Sequence, residues 1–562
     1  MEAATVQGLQ RPPRPTVTVV MTCRERHGLT ETAIESVIRN THMPFRFLYV
    51  DVCSPEWLRK RIEDRAREWS LEVARFDEPL WPNQARRRVA RTIDTDYAAF
   101  IDDDVLVSPN WLEHLIQCAE ETGAGVVGPL YLWGDSEQAD RIHMAGGQLS
   151  EEREADGIVL KESHAYLNRK LGEVELHRRE CGFVEFHCML MRREVFRAPE
   201  TFHERIVCVH EHIHACLTAR ALGYKTCFEP KARVTYLAYA PYAFSDLPVF
   251  RRRWSSGACD DSLNAFAETW GVINDDRSFG VRSYVAQHRE EVDPLRPSLQ
   301  DPSVARAPIE PGNLKHSPVG LAELAAAKGY GADDIQQISK AYWSALLLSN
   351  GGYRPCGRPF INHLVGTASI LVHYGFARRL ILAALLHAAY THAPRLPGGP
   401  QHTVDVVARN IGGRDSIVER LVRAYTLRSS RWRHLLGLEN WTDVATMTDV
   451  EIAILAMAND VELHLSGEVR ATGRTDADDQ PALAKAREIC DLLCVPGLAE
   501  PGLRQTPKAE PRSALPKSRS TGSFRIEGTK PVPMVNRAFF DALAAQPQGD
   551  AQVASSHADE RL

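Results

Sequence analysis

The first 130 residues alternate between short apolar runs and amphipathic segments. TVTVVMTC (16–23), FRFLYVDV (45–52), LEVARF (71–76), YAAFIDDDV (97–105) and GAGVVGPLYL (123–132) read as five strands. Between the first two, Ala33, Ile34, Val37 and Ile38 share one face of a helix with Thr30 as candidate N-cap. Residues 55–69 and the Arg-rich 83–92 read as two more helices, and SPNW (108–111) offers Ser108 as N-cap and Pro109 as first residue of a fourth. Strands alternating with helices predict an α/β fold with a mainly parallel sheet. Such sheets bind ligands beyond the carboxyl ends of their strands. The loops at 22–27, 51–54 and 102–104 all fall at that edge.

The pattern changes further on. Pro, Asp and Arg accumulate over 276–320, which predicts a linker with room for a short helix. Residues 321–500 are Ala- and Leu-rich with helical periodicity and no convincing strand, and the Pro/Ser/Lys/Arg-rich stretch 501–562 predicts a disordered tail. The expected organisation is thus a disordered 1–15, an α/β domain over 16–275, a linker over 276–320, a helical domain over 321–500 and the tail.

Composition adds exclusions. The 562 residues are 44% hydrophobic and 25% charged, an ordinary globular balance, and the net charge of −6 argues against a chain that coats nucleic acid. No apolar run approaches the ~18–20 residues a membrane span needs, and 1–15 lacks the apolar core of a signal peptide. A cytoplasmic protein is expected, with peripheral membrane contact at most, through Lys508, Arg512, Lys517, Arg519 and Arg525 of the tail. The twelve cysteines include no CxxC pair, so free thiols in a reducing compartment are expected. Cys490 and Cys494 lie one helical turn apart without two further ligands for zinc.

The candidate chemistry begins with Asp102, Asp103 and Asp104, directly after an apolar strand. Adjacent carboxylates repel, and an oxygen-rich cluster of this kind suits Mg2+ or Mn2+, whose remaining ligands are waters and phosphate oxygens. The alternative is a solvated strand end.

VTVVMTCRER (17–26), YVDVCS (49–54), PNQARRRVA (82–90), FIDDDVLVSPNWL (100–112), CMLMRREVF (188–196), FHERI (202–206), HEHIHACLTARALGYKTCFEP (210–230) and ARVTY (232–236) follow one another in the order and spacing of a known series. Together, over about 16–255, they resemble the inverting family 2 glycosyltransferases of the GT-A fold. The resemblance implies a nucleotide-diphosphate sugar donor, a glycan, lipid-linked or small-molecule acceptor, and Mn2+ or Mg2+ as cofactor. It implies donor contacts from Thr22, Arg24, Asp51, Arg86, Asp102, Asp103, Arg253 and Trp254, the last two from FRRRW (250–254). It also implies metal ligation by Asp102 and Asp104. Where the family carries a Glu-Asp pair, this chain has Glu211-His212, and the family's next Asp is His214. Either Glu211 or His212 is the candidate base, and His212 or His214 can add an imidazole to the metal. HMAGGQ (143–148) reads as a Gly-rich loop near the acceptor or a plain turn.

YRPCGRPFINH (353–363) and LLH (385–387) resemble the helical HD-type domain of bacterial alarmone hydrolases of the RelA/SpoT type. His363 and His387 match two metal-binding histidines, and Asp460, or Asn459, the distant Asp. The Asp expected after the second histidine is Ala388, and the expected acidic pair is Thr391-His392. This implies a degenerate scaffold. The alternative reading of the whole chain is a nucleotide or alarmone hydrolase, or a nucleotide-sensing regulator, acting through this domain.

Overall fold

The computed structural model describes residues 15–23, 25–274, 280–296, 308–349, 352–354, 356–392, 399–413, 416–428, 441–468, 480–493 and 495–499. Arg24, Cys494 and the tail with its basic residues lie outside the described residues, as does nearly all of 1–15. The chain divides into two compact units, Met1–His288 and Arg289–Leu562.

The first unit is built on a mixed sheet. Strands β1 (Val17–Thr22), β2 (Arg46–Val52), β3 (Leu71–Phe76) and β4 (Tyr97–Asp102) pair in parallel, β1 lying between β2 and β4. Between them run α1 (Thr30–Asn40), α2 (Glu56–Arg65) and α3 (Pro82–Ala90). β1 and β4 are buried at every residue, as strands covered on both faces are. After β5 (Val105–Val107) and α4 (Trp111–Thr122) come β6 (Val126–Trp133), β7 (Arg141–Met144) and the hairpin β8 (Gly147–Glu154)–β9 (Gly157–His164). Then follow β10 (Arg179–Glu180), β11 (Cys188–Arg192), α5 (Arg193–Phe196), α6 (Glu211–Ala221) and β12 (Thr226–Tyr236). The sheet order is β10-β12-β6-β11-β4-β1-β2-β3, with β5 on β12 and β7 on β6. β11 is antiparallel to both its neighbours, β4 and β6. The sheet is therefore mixed, where the alternating pattern of the first 130 residues speaks only of its parallel part.

Two expected helix starts differ, each because a longer-range hydrogen bond takes the capping group. Ser108 does not cap α4: its Oγ accepts from the Arg233 amide at 3.1 Å, and its own amide donates to Arg233 O at 2.9 Å, continuing the β5–β12 pairing. Asn110 takes the N-cap position instead, at φ 60°. Thr30 is the first residue of α1, and its hydroxyl donates to Asp103 rather than to the helix amides. At the other end of α4, Gly123 closes the helix in the left-handed conformation that favours glycine. The following strand therefore begins at Val126.

The first unit ends with α7 (Leu247–Arg253) and α8 (Ser256–Trp270). Within the segment expected to be a linker, Val281–Val292 is a helix, α9, and the boundary between the units falls inside it.

The second unit is helical among its described residues, its isolated bridges aside. α10 (Pro318–Ala327) starts on Ser317, whose Oγ accepts from Gly320 N at 3.1 Å. α11 (Ala332–Ser349), α12 (Phe360–Tyr374), α13 (Arg378–Leu386), α14 (Ala389–His392), α15 (Gly399–Asn410) and α16 (Ile417–Arg428) follow, and a later helix spans Met447–Leu465. α12, α13 and the Met447–Leu465 helix are buried over most of their length. No helix among the described residues is long and apolar enough to cross a membrane.

Candidate metal centre and donor site

β1 and β4 place Thr22 beside Asp102, and Asp51 stands one residue beyond the partner of Thr22 on β2. All three loops singled out in the sequence thus meet at one sheet edge. The three aspartates, consecutive in sequence, are all buried but face different partners. Asp102 accepts from Arg86 Nη2 at 2.9 Å and lies 3.1 Å from His187 Nδ1. Asp103 turns back toward α1 and accepts from the Thr30 hydroxyl at 2.7 Å. Burial, then the neighbouring Asp104 charge, push its carboxyl up to about 8. Asp104 accepts from Arg26 Nη1 at 3.1 Å.

Asp102, Asp104 and His187 bring two carboxylate oxygens and an imidazole nitrogen within 4.8 Å of one another. His187 precedes β11, which carries it alongside the end of β4, and its ring stacks on Tyr236 with centroids 4.1 Å apart. The two buried cations here are not spectators. Arg86 lies 4.0 Å over the Phe186 ring with its charge on Asp102. Arg26 reaches Asp104, the Tyr236 hydroxyl at 3.1 Å, and the carbonyls of Ala238 and Ala240 at 3.2 Å. A fixed shell of this kind orients ligands and tunes the ion they hold.

Among the other expected donor residues, Asp51, Arg253 and Trp254 are engaged within the protein. Asp51 accepts from Arg75 Nε at 3.0 Å and from the Ser54 amide at 3.1 Å. Thr22 is buried with its hydroxyl unpaired. Arg253 and Trp254 are buried beside Glu25: the Trp254 indole donates to Glu25 Oε2 at 3.0 Å, and Arg253 Nε lies 3.8 Å from Glu25 Oε1. Arg24 is outside the described residues.

His210, Glu211, His212 and His214 scatter around the start of α6. Glu211 is the buried first residue of the helix. The His212 ring lies 5.5 Å from that of Phe183, and burial drives its imidazole down to about 3. His214 faces elsewhere: its Nε2 meets Glu200 O at 2.8 Å and its Nδ1 accepts from the Trp270 indole at 3.1 Å. The imidazole grouped with Asp102 and Asp104 is that of His187.

A second cluster adjoins this centre. His143 on β7, His164 ending β9 and Glu185 before β11 also bring three ligand atoms within 4.8 Å of one another. Burial favours the neutral acid at Glu185, but His143, His164 and His187 outweigh it and hold the carboxyl well below its usual range. In the sequence His143 opens HMAGGQ, and Glu185 and His187 stand just before CMLMRREVF; their types are those of metal ligands, but their spacing does not group them.

In the second unit, His363 Nδ1 lies 2.5 Å from Glu462 Oε2, and Arg358 donates to Glu462 Oε1 at 2.6 Å. The His363 and His387 rings are 5.4 Å apart. Asp460 is met by the Asn459 amide at 3.2 Å. Among the described residues the metal-capable groups are the two in the first unit, and His363, His387 and Asp460 do not form a third. His387 faces Ala384 O at 2.7 Å, the ring of His363 and the ring of Tyr425.

Burial lowers the His387 imidazole from 6.5 to about 3. It stays neutral in the fold and charges on unfolding, so its contribution to stability is complete above pH 6.5 and is lost as pH falls toward 3. We expect stability to drop by up to about 1.4 kcal/mol per pH unit below 6.5 on this account. Calorimetric melting at pH 7.5, 6 and 5 checks this. A slope that His387→Gln leaves unchanged would remove His387 as its source.

The sheet edge, the carboxylate-imidazole triad and the flanking arginines define the class: an α/β domain with a group of side chains at its edge that could hold a cation. Residues 18–198 match the model of Glycosyl transferase family 2. That stretch lies within the first unit and is similar to a glycosyltransferase domain. An uncharacterized protein of Sinorhizobium fredii, y4gI, is 25% identical over 251 residues, covering 43% of this chain and 26% of that protein. The chain therefore spans about a quarter of the length of the curated relative it matches. The crystal structure of GalNAc-T7 with UDP, GalNAc and Mn2+ is similar at 17% identity and a TM-score of 0.33, over 49% of this chain and 54% of that one.

Proposed function

We propose that the first unit transfers a sugar, with inversion, from a nucleotide-diphosphate sugar to a hydroxyl acceptor. The observation that carries this reading is the triad Asp102, Asp104 and His187 at the carboxyl edge of β4, inside the stretch that matches the Glycosyl transferase family 2 model. The donor set fits a divalent cation, and an imidazole beside two carboxylates favours Mn2+ over Mg2+, which prefers oxygen alone. When bound, such a cation offsets the charge that develops on the departing diphosphate.

The chain's own groups do the rest. Asp102, Asp104 and His187 would hold the ion, and Arg86 and Arg26 fix the two carboxylates from behind. Tyr236 keeps the His187 ring in plane. Of the two candidate bases, His212 is a poor acceptor of a hydroxyl proton at neutral pH because burial holds it near 3. Glu211 is therefore the base in this reading, and the acceptor approaches from the α6 side. The second unit is read as a degenerate HD-type scaffold, because His363 is committed to Glu462.

Calorimetric titration of the full chain with UDP and with GDP, with and without Mn2+, tests the proposal. We expect one nucleotide to bind in the micromolar range and only with the ion. Binding of neither under any condition would defeat the transferase reading.

A further inference from the structure

We propose that His143, His164 and Glu185 form a second divalent-cation site of the kind Zn2+ takes, separate from the Asp102–Asp104–His187 triad. Three segments distant in sequence converge to make it: β7, the end of the β8–β9 hairpin and the loop before β11. Glu185 Oε2 lies 2.8 Å from His143 Nε2, and Glu185 Oε1 lies 3.6 Å from His164 Nε2. The longer separation is too great for a hydrogen bond. It matches the roughly 3.4 Å expected between two ligands on a tetrahedral ion at ~2.1 Å. Two imidazoles and one carboxylate leave a fourth position open, and a hydroxyl or water oxygen completes such a set.

Each ligand is held from behind. The Tyr131 hydroxyl takes the Glu185 amide at 3.0 Å and donates to Cys188 O at 2.7 Å, clamping the loop that carries the carboxylate. The Trp133 ring lies 4.8 Å from the His143 ring, and Phe183 5.8 Å from that of His164. Phe183 in turn needs Gly147, where a Cβ would come within 2.2 Å of its ring. His143 Nδ1 is shut off from solvent without a hydrogen-bond partner. The site remains reachable, since the three side chains keep 12–17% of their surface exposed.

His187 joins the two sites, with Nδ1 at 3.1 Å from Asp102 and Nε2 at 3.8 Å from Glu185. The ligand sets nevertheless differ in kind. One is carboxylate-rich and suits Mn2+; the other is imidazole-rich and suits Zn2+ or Co2+.

The test is Co2+ titration of the dialysed full chain, followed by its visible d–d bands. The wild type should show an intense tetrahedral band. Asp104→Asn should keep that band, while His164→Gln and Glu185→Gln should each lower the affinity behind it at least tenfold. Melting of the ion-free variants establishes that they fold. Should either variant not fold, zinc-edge absorption of the wild type loaded with one equivalent decides, with two imidazole ligands expected. A band unchanged in both variants, a band lost in Asp104→Asn, or an edge spectrum without imidazole overturns the proposal. Because none of these readouts involves a nucleotide, their failure is distinct from failure of the transferase reading.

Discussion

Asp104→Asn is expected to abolish metal-dependent nucleotide binding while leaving the fold intact. It removes one of three candidate ligands, and changes merely behind a metal ligand cost about 10–100-fold in affinity. The expected loss is therefore at least about a hundredfold, or roughly 2.7 kcal/mol. The fold should survive because Arg26 keeps the Tyr236 hydroxyl and the carbonyls of Ala238 and Ala240. Asp102→Asn is the harsher change. It weakens the same ion and also removes the charge that Arg86, only 2% exposed at its side chain, meets at 2.9 Å. Calorimetry with UDP or GDP and Mn2+, beside a melting curve for each variant, separates the two effects. Undiminished Mn2+-dependent binding by Asp104→Asn would exclude Asp104 as a ligand.

The largest stability loss is expected at Glu25. This buried carboxylate accepts from the Trp254 indole at 3.0 Å and the Tyr242 hydroxyl at 3.3 Å, and faces Arg253 at 3.8 Å. Glu25→Ala leaves two donors without that acceptor and a guanidinium, 4% exposed, without the charge beside it. Removing one partner of a buried ion pair costs about 3–5 kcal/mol. The melting temperature should fall by roughly 10 °C, at ~2–4 °C per kcal/mol for a unit of this size. Glu25→Gln, which keeps an acceptor for Trp254, should lose about half as much. A melting temperature for Glu25→Ala within the error of the wild type would show that Arg253 finds its compensation elsewhere.

What the sequence disclosed follows from range. The apolar runs of β1, β2 and β4 are fixed by their own residues, and the Asp cluster announces itself by local repulsion. Asp51, Thr22 and Asp102 therefore converge as their loops suggested. Partners chosen across long separations were hidden. Arg26 meets Tyr236 over 210 positions, and His187 meets Asp102 over 85. Nothing near His187 in sequence marks it as a neighbour of Asp102, because an antiparallel strand inserted into a parallel series brings them together. The same lack of local signal applies to His214. Its spacing in HEHIH suited a ligand, whereas its ring is absorbed by Glu200 and Trp270.

The place of β11 also bears on how the chain is made. This strand lies between β4 and β6, yet it follows both in sequence. While the ribosome is still working from β6 to β11, the fully buried strand β4 has one edge of unpaired backbone with no native cover. At ~5–20 residues per second that interval lasts several seconds. An apolar strand with an open edge is a template for pairing with another chain. Nascent chains of this protein thus carry a self-association hazard that ends only when Cys188–Arg192 has been synthesised and inserted.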